Sequence, residues 1–201
     1  MEIEAFLDTL QAHAEVLAGI EEAAHALHAA VGQTYDGDKP YGYHLDMVAD
    51  AVRCYGAEIC QSPEDVVPML FAAYFHDSIE DARQTYNDTK KTALRFMSEI
   101  QALMATEIVY ALTNDKGRTR AERAGEHYYE GIRQTPYAPF IKLCDRLANA
   151  SYSARGSNEG NNRMHEVYHN EMPEFLEHLQ PTTDDPRMGL PQILTMALRA
   201  M

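Results

Sequence analysis

The chain contains no tryptophan, only three cysteines and no long run of apolar residues. The cysteines (Cys54, Cys60 and Cys144) lack the spacing of metal ligands, and their odd number argues against a disulfide framework. No apolar stretch approaches the roughly 20 residues that a membrane-spanning helix needs. Residues 1–4 have neither the basic start nor the apolar stretch of a signal peptide. We therefore expect a cytoplasmic protein that does not insert into membranes.

Positive charge is also scarce, because 17 lysines and arginines face 31 aspartates and glutamates, for a formal net charge of -14. The long-range repulsion from such a surface disfavours nucleic acid and anionic membranes as partners. It also opposes an anionic small-molecule substrate, which would need compensation from a metal ion or from nearby cations. The candidate cations are Lys39, Arg83, Lys142, Arg146 and the cluster Lys116, Arg118, Arg120 and Arg123. A solvated helix face is the alternative interpretation of that cluster.

The composition is that of one globular domain. Hydrophobic residues make up 45% of the 201 residues and charged residues 24%, which suffices for a single domain, 1–201, with a full core. The apolar pattern is helical almost throughout, and no alternating strand pattern of useful length is present. We therefore expect an all-α helical bundle. Its oligomeric state stays open, and a homo-oligomer is compatible with the sequence.

Several local signals place the helices. Apolar stripes predict helical segments over residues 3–17 and, after Gly19, over 20–31. A loop over residues 32–40 then separates them from a helix that carries His44. These signals predict that the loop leads directly into the helix of His44.

Two later helices carry His76-Asp77 and Asp145. Ser62-Pro63-Glu64-Asp65 has a capping serine, proline at the first helical position and acids in the first turn, which is typical of a helix start. We expect this helix to run to about Ile79 and to present His76-Asp77 near its end. Thr135-Pro136 predicts the start of the helix that carries Asp145.

The pair His76-Asp77 is the most informative feature of the chain, because it offers an imidazole and a carboxylate from adjacent residues. The pair follows the apolar run Pro68–Phe75, and burying two titratable groups without partners would cost several kcal/mol. His44 and Asp145 complete a set of two histidines and two aspartates. Such mixed ligands suit a divalent ion, with manganese as the first choice and magnesium, iron, cobalt or zinc as alternatives.

Four segments of the chain resemble the HD-domain phosphohydrolases, and most closely the hydrolase domain of RelA/SpoT-type proteins and their small stand-alone homologues. The segments are Gly32-Gln33 with Lys39–His44, then His76–Asp81, Leu112–Lys116 and Lys142–Asn149. Members of this family are all-helical, metal-dependent hydrolases of phosphate esters and anhydrides, and the alarmone branch removes the 3′-pyrophosphate of guanosine tetra- and pentaphosphate. The likeness covers about residues 20–155, so we expect these to form the core and 158–201 to form peripheral helices.

The resemblance implies an HD-domain bundle with His44, His76, Asp77 and Asp145 as metal ligands. It also implies a nucleotide as the small-molecule substrate, and the most closely matching activity is (p)ppGpp 3′-pyrophosphohydrolase, which gives GDP or GTP and pyrophosphate. Two alternatives stay open. One is a (deoxy)nucleoside 5′-phosphate or triphosphate hydrolase with the same ligand set, and the other is a domain that binds a nucleotide as a sensor without hydrolysing it.

Glu80 and Asp81 are the candidate catalytic residues. They follow the ligand pair by three to four residues, a spacing that places them beside the metal on a continuing helix. One would orient or deprotonate the attacking water and the other would protonate the leaving group, and the resemblance implies the same role for this acidic pair. An acidic helix end that faces solvent is the alternative.

The candidate substrate contacts are Asn149, Lys142, Tyr35 and Lys39. Asn149 matches the nucleotide-contacting asparagine of the family, and Lys142 suits either a substrate contact or an ion pair. Bacterial members carry a basic pair shortly after the match of Gln33, whereas this chain has Thr34-Tyr35. Tyr35 would either stack on a base or cover the bundle surface.

The segment His165-Glu166-Val167-Tyr168-His169 has the His-Glu-x-x-His pattern of zinc proteases. A third ligand would be Glu174, Glu177 or His178. The pattern is short for a chain with nine histidines, and no predicted sheet accompanies it, so we favour a chance occurrence. Four other histidines are interpreted as surface residues or as residues satisfied by hydrogen-bond partners: His13, His25, His28 and His127.

Overall fold

The computed structural model describes residues 1–114, 117–156 and 159–201, apart from the side chains of Arg120 and Ala121. It confirms the all-α bundle. The helices are α1 (Ile3–Ala12), α2 (Ala14–Ala30), α3 (Gly42–Ile59), α4 (Val66–Phe75), α5 (Tyr86–Ala93), α6 (Glu99–Leu112), α7 (Arg120–Arg123), α8 (Glu126–Gln134), α9 (Ala138–Ser153), α10 (Glu159–His178) and α11 (Gln192–Arg199). Strands β1 (Thr34–Tyr35) and β2 (Lys39–Pro40) pair antiparallel in the loop between α2 and α3. In the described ranges, no helix has the length and apolar character needed to cross a membrane.

Helix α4 lies at the centre of the bundle. Every residue of α4 is buried, because the helix is apolar on all sides and needs neighbours all around it. It packs against α2, α3, α6 and α9, and α3 also packs against α9. The hydrophobic core that surrounds α4 extends from Phe6 in α1 to Leu198 in α11. The residues that follow α4 therefore emerge in the middle of the bundle, beside α3 and α9.

The predicted start of α4 is confirmed, but its predicted end is wrong. The Ser62 backbone N–H and hydroxyl both donate to Asp65 Oδ2 at 3.0 Å, which forms a capping box before a short 3₁₀ turn. The helix ends at Phe75 rather than near Ile79. Residues 76–81 form turns, although Asp81 N still donates to Asp77 O at 2.8 Å. One helical turn thus still separates Asp77 from Asp81.

Two other predicted boundaries differ from the structure. The break in the first helical segment lies at His13, and Gly19 is inside α2, where a Cβ would lie 3.1 Å from Phe96. The glycine therefore serves close packing rather than a turn. Helix α9 begins at Ala138 instead of Pro136, because Tyr137 adopts a left-handed conformation with φ of 67°. The Tyr137 hydroxyl donates to Asp65 at 2.8 Å, which anchors this residue.

Candidate metal centre

Three of the predicted ligands meet at one point in the bundle. His44 comes from the first turn of α3, His76 follows α4, and Asp145 lies on α9. The two Nε2 atoms are 3.2 Å apart, and Asp145 Oδ1 lies 3.4 Å from His44 Nε2 and 3.8 Å from His76 Nε2. Each residue offers one ligand atom, and these atoms all lie within 4.8 Å of one another. Both imidazoles are buried. The three side chains can therefore hold a metal ion.

Asp77, the fourth predicted ligand, lies beside this compact group. Its Oδ2 is 2.9 Å from His76 Nε2 and 3.7 Å from His44 Nε2. The Tyr41 hydroxyl donates a short hydrogen bond to the same oxygen. Asp77 thus contacts both imidazoles, and Tyr41 fixes the orientation of its carboxylate.

The imidazoles are oriented as ligands. His76 Nδ1 lies 2.9 Å from the carbonyl oxygen of Ala73, which can only accept, so Nδ1 carries a hydrogen and Nε2 faces the other ligands. The His44 ring stacks on Tyr35, with centroids 5.1 Å apart and planes 12° apart, which fixes its orientation too. Since the two Nε2 atoms face each other, at most one hydrogen can lie between them. A cation shared by both nitrogens fits this arrangement.

The charged groups of the centre shift one another's pKa values. Burial alone would lower the pKa of His76, but the carboxylates of Asp77 and Asp145 outweigh burial and raise the pKa to about 9. Burial would raise the pKa of Asp77, but His76 and His44 hold it below its usual range. The pKa of Asp145 is likewise held well below its usual range, despite burial, by Lys142 and the histidines. The two aspartates thus place negative charge around both histidines, which a divalent ion would balance.

Glu80 and Asp81 both lie on the wall of the cavity beside this group. Asp81 Oδ2 accepts from Gln33 Nε2 at 2.7 Å and from the Tyr41 hydroxyl at 3.3 Å. Glu80 accepts from Asn114 Nδ2 through both oxygens, at 3.0 and 2.8 Å. Both carboxylates are exposed, yet amide donors fix their positions. This geometry differs from that of an acidic helix end that only faces solvent.

Three of the predicted substrate contacts are linked to Asp145. Lys142 Nζ donates to Asp145 Oδ2 at 3.0 Å, and Asn149 Nδ2 donates to Asp145 Oδ1 at 2.6 Å. The Tyr35 hydroxyl donates to Asn149 Oδ1 at 3.0 Å. All three line the cavity, whereas Lys39 does not and bonds to the neighbouring Asp38 at 3.1 Å. Their contact with substrate stays a prediction.

Four other residues line the cavity, and of these only Arg146 was named from the sequence, as a candidate cation. The cavity has a volume of about 190 Å³, and Tyr41, Asn114, Arg146 and Tyr168 complete its wall. Arg146 donates to Glu171 at 3.1 Å and lies over the Tyr168 ring, 5.0 Å from its centroid. Tyr41 follows Pro40 in the first family-like segment, and that neighbourhood is the one signal that could have identified it.

Two sequence features remain, the segment over residues 165–169 and the basic cluster Lys116, Arg118, Arg120 and Arg123. Across residues 1–114, 117–156 and 159–201, no cluster of metal-ligating atoms includes His165 or His169. Arg118 and Arg123 are exposed, and Lys116 is outside the described residues, as is Asp115 of the third family-like segment. Among the described residues, the segment 165–169 therefore adds no metal ligand to the cavity, and the basic cluster adds no cation.

Comparisons with known proteins do not assign the chain to a family. Neither the protein-family models nor the curated proteins compared with this chain give a match. A functional conclusion therefore depends on the geometry of the centre and on the four family-like segments.

Proposed function

We propose that this chain is a metal-dependent phosphohydrolase of the HD-domain type that acts on a nucleotide, with (p)ppGpp 3′-pyrophosphohydrolase as the favoured activity. The observation that supports this proposal is the convergence of His44, His76 and Asp145, with Asp77 in contact with both histidines. The acidic pair on the same cavity wall supplies groups that can accept and donate protons. All six of these side chains lie within the four family-like segments.

The ligand set favours a borderline to hard divalent ion, and manganese is the proposed cofactor. When bound, the ion supplies Lewis acidity and offsets negative charge on the phosphoryl oxygens. The charge of the cavity also supports a bound cation, because four carboxylates and only two cations, Lys142 and Arg146, line it. Both cations already pair with carboxylates, so an anionic phosphate needs a further positive charge.

In the proposed reaction, the oxygen of a water molecule bonds to phosphorus as the bond from phosphorus to the 3′-oxygen breaks. One carboxylate of the pair Glu80 and Asp81 accepts a proton from the water, and a carboxyl of the pair protonates the leaving oxygen. The products are GDP or GTP and pyrophosphate. Gln33 and Tyr41 position Asp81, and Asn114 positions Glu80, through the hydrogen bonds described above.

The size of the cavity limits what it can enclose. A polar space of about 190 Å³ fits the phosphoryl part of a nucleotide, so the nucleoside would extend toward the mouth. Lys142 and Asn149, both bonded to Asp145, lie on this wall and are the proposed contacts for the substrate.

One observation favours a second candidate, a hydrolase of (deoxy)nucleoside 5′-phosphates or triphosphates. Tyr35 occupies the position of a basic pair in bacterial alarmone hydrolases, and its ring already stacks on His44. Its hydroxyl is bonded to Asn149. Tyr35 and Asn149, which would contact a guanosine 3′-pyrophosphate, are thus already in contact with each other and with His44. This arrangement favours a different nucleotide as the substrate.

The test is product release by metal-stripped protein reloaded with manganese. We expect pyrophosphate from guanosine tetraphosphate, and we expect Glu80→Gln to lose turnover while it keeps bound metal. Glu64→Gln is the matched control, because Glu64 is exposed in the 3₁₀ turn before α4 and should leave the rate unchanged.

Two other results are informative. Phosphate or triphosphate release from 5′-nucleotides alone would move the protein to the second candidate. Metal binding without turnover of any of these substrates would contradict hydrolysis and favour a nucleotide sensor.

A further inference from the structure

A second group of metal-ligating side chains lies between α2 and α3. Glu21, His25 and Asp46 each offer one ligand atom, and these atoms all lie within 4.8 Å of one another. Asp46 follows His44 by two residues, so it projects from roughly the opposite side of α3. Glu21 and His25 are one turn apart on α2 and share a face. The group is therefore separate from the candidate metal centre and contains none of its residues.

Neighbouring residues hold these three side chains in place. His25 Nε2 lies 2.8 Å from Asp46 Oδ1, and the Tyr74 hydroxyl donates to Glu21 Oε2 at 2.9 Å. The imidazole packs directly on Gly42, where a Cβ would lie 2.7 Å from the ring. The absence of a side chain at residue 42 is what allows His25 to approach α3. Outer contacts of this kind fix the orientation of metal ligands in proteins.

The group is accessible from solvent. All three residues line an open cavity of about 740 Å³, and the side chains of His25 and Asp46 are 34% and 43% exposed. An ion can therefore enter without opening the bundle. It would also exchange more readily than an ion bound by the buried pair His44 and His76.

We propose that Glu21, His25 and Asp46 form a second divalent-cation site, which takes a first-row transition ion such as Zn²⁺ or Mn²⁺. Nitrogen and oxygen ligands lie about 2.0–2.2 Å from zinc, which places tetrahedral ligands about 3.5 Å apart. The present separations are within 4.8 Å, so small rotations of the two carboxylates suffice. When the ion binds, the hydrogen between His25 Nε2 and Asp46 Oδ1 is released to water, the neutral imidazole keeps its hydrogen on Nδ1, and water completes the coordination. Three protein ligands with partial exposure predict weaker binding than at the central site.

The experiment is a count of bound ions on folded, metal-stripped protein, by equilibrium dialysis against Zn²⁺ and elemental analysis. We expect two ions per chain in the wild type and one in each of His25→Asn and Glu21→Gln. The second variant keeps the His25 ring and its contact with Gly42. Asp145→Asn should lose the central ion and keep the second. His13→Asn is the matched control, because His13 lies at the α1–α2 junction and contacts Thr9.

The two sites are distinguished by which variants lose an ion. A wild type that binds one ion, lost in Asp145→Asn but kept in both α2 variants, would overturn the second site and leave the proposed function intact. Retention of the second ion in both His25→Asn and Glu21→Gln would also overturn it. One ion kept in Asp145→Asn and lost in both α2 variants would support the second site while contradicting the central one.

Discussion

Metal binding at the centre should stabilise the fold, and Asp145 is the residue with which to measure this effect. An ion that binds only the folded state adds about 2.7 kcal/mol to the free energy of unfolding at a metal concentration 100 times Kd. For a chain of 201 residues, each kcal/mol raises Tm by about 2–4 °C, so we expect an increase of about 5–11 °C. The measurement is thermal unfolding with and without Mn²⁺ in a His25→Asn background, which removes any contribution from the proposed second site.

Two substitutions of Asp145 separate its structural role from its metal role. Asp145→Ala leaves the largely buried Lys142 without its carboxylate partner, and breaking such a pair costs about 3–5 kcal/mol. Lys142 and Asn149 donate to different oxygens of Asp145, and Asp145→Asn keeps one of these acceptors, so it should cost less than Asp145→Ala in the metal-free protein. Both variants should lose most of the increase in Tm with Mn²⁺. A full increase in Asp145→Asn would refute Asp145 as a ligand.

Three further predictions concern residues around the centre. Tyr41→Phe removes the hydroxyl that orients Asp77, so metal affinity should fall about 10–100-fold, as measured by dialysis, and an unchanged affinity would exclude a positioning role. Gln33→Glu places a carboxylate where an amide now donates to Asp81, and we expect kcat to fall at least tenfold with metal content preserved; equal kcat would argue against Asp81 in catalysis. Burial lowers the pKa of His28 below about 6.5, so the unfolded state binds more protons below that pH and stability falls as pH decreases. Urea unfolding at pH 7.5 and 5.5 should show a smaller loss in His28→Asn than in the wild type, and equal losses would count against this assignment.

The sequence predicted the fold better than it predicted the ends of helices. The apolar run of α4 identified a buried helix, because such a run leaves no polar face for solvent. Its end at Phe75 was missed because residues 76–81 keep one helix-like hydrogen bond while leaving the regular helix. Tyr137 was missed for a different reason, since a distant contact with Asp65 supports its left-handed backbone. Local patterns carry no information on such contacts.

The same distinction applies to the candidate site. His76 and Asp77 were identifiable because two titratable residues directly follow an apolar run. The hydrogen bonds that orient the acids were not, because Gln33 and Asp81 are 48 residues apart in the sequence and Asn114 and Glu80 are 34 apart. Contacts over such separations produce no periodic pattern. The sequence therefore identified the titratable groups and the segments that contain these donors, but not which donor bonds to which acid.

These donors divide the carboxylates of the cavity into two kinds. Asp145 is paired with Lys142, and a neighbouring ammonium keeps a carboxylate ionised, as a metal ligand requires. Glu80 and Asp81 are held instead by neutral amides and a hydroxyl, and within the described ranges neither forms an ion pair with lysine or arginine. A carboxylate with neutral partners can gain and lose a proton without leaving a cation unpaired. The arrangement of partners thus supports the proposal that Asp145 binds the metal ion and that the acidic pair transfers protons.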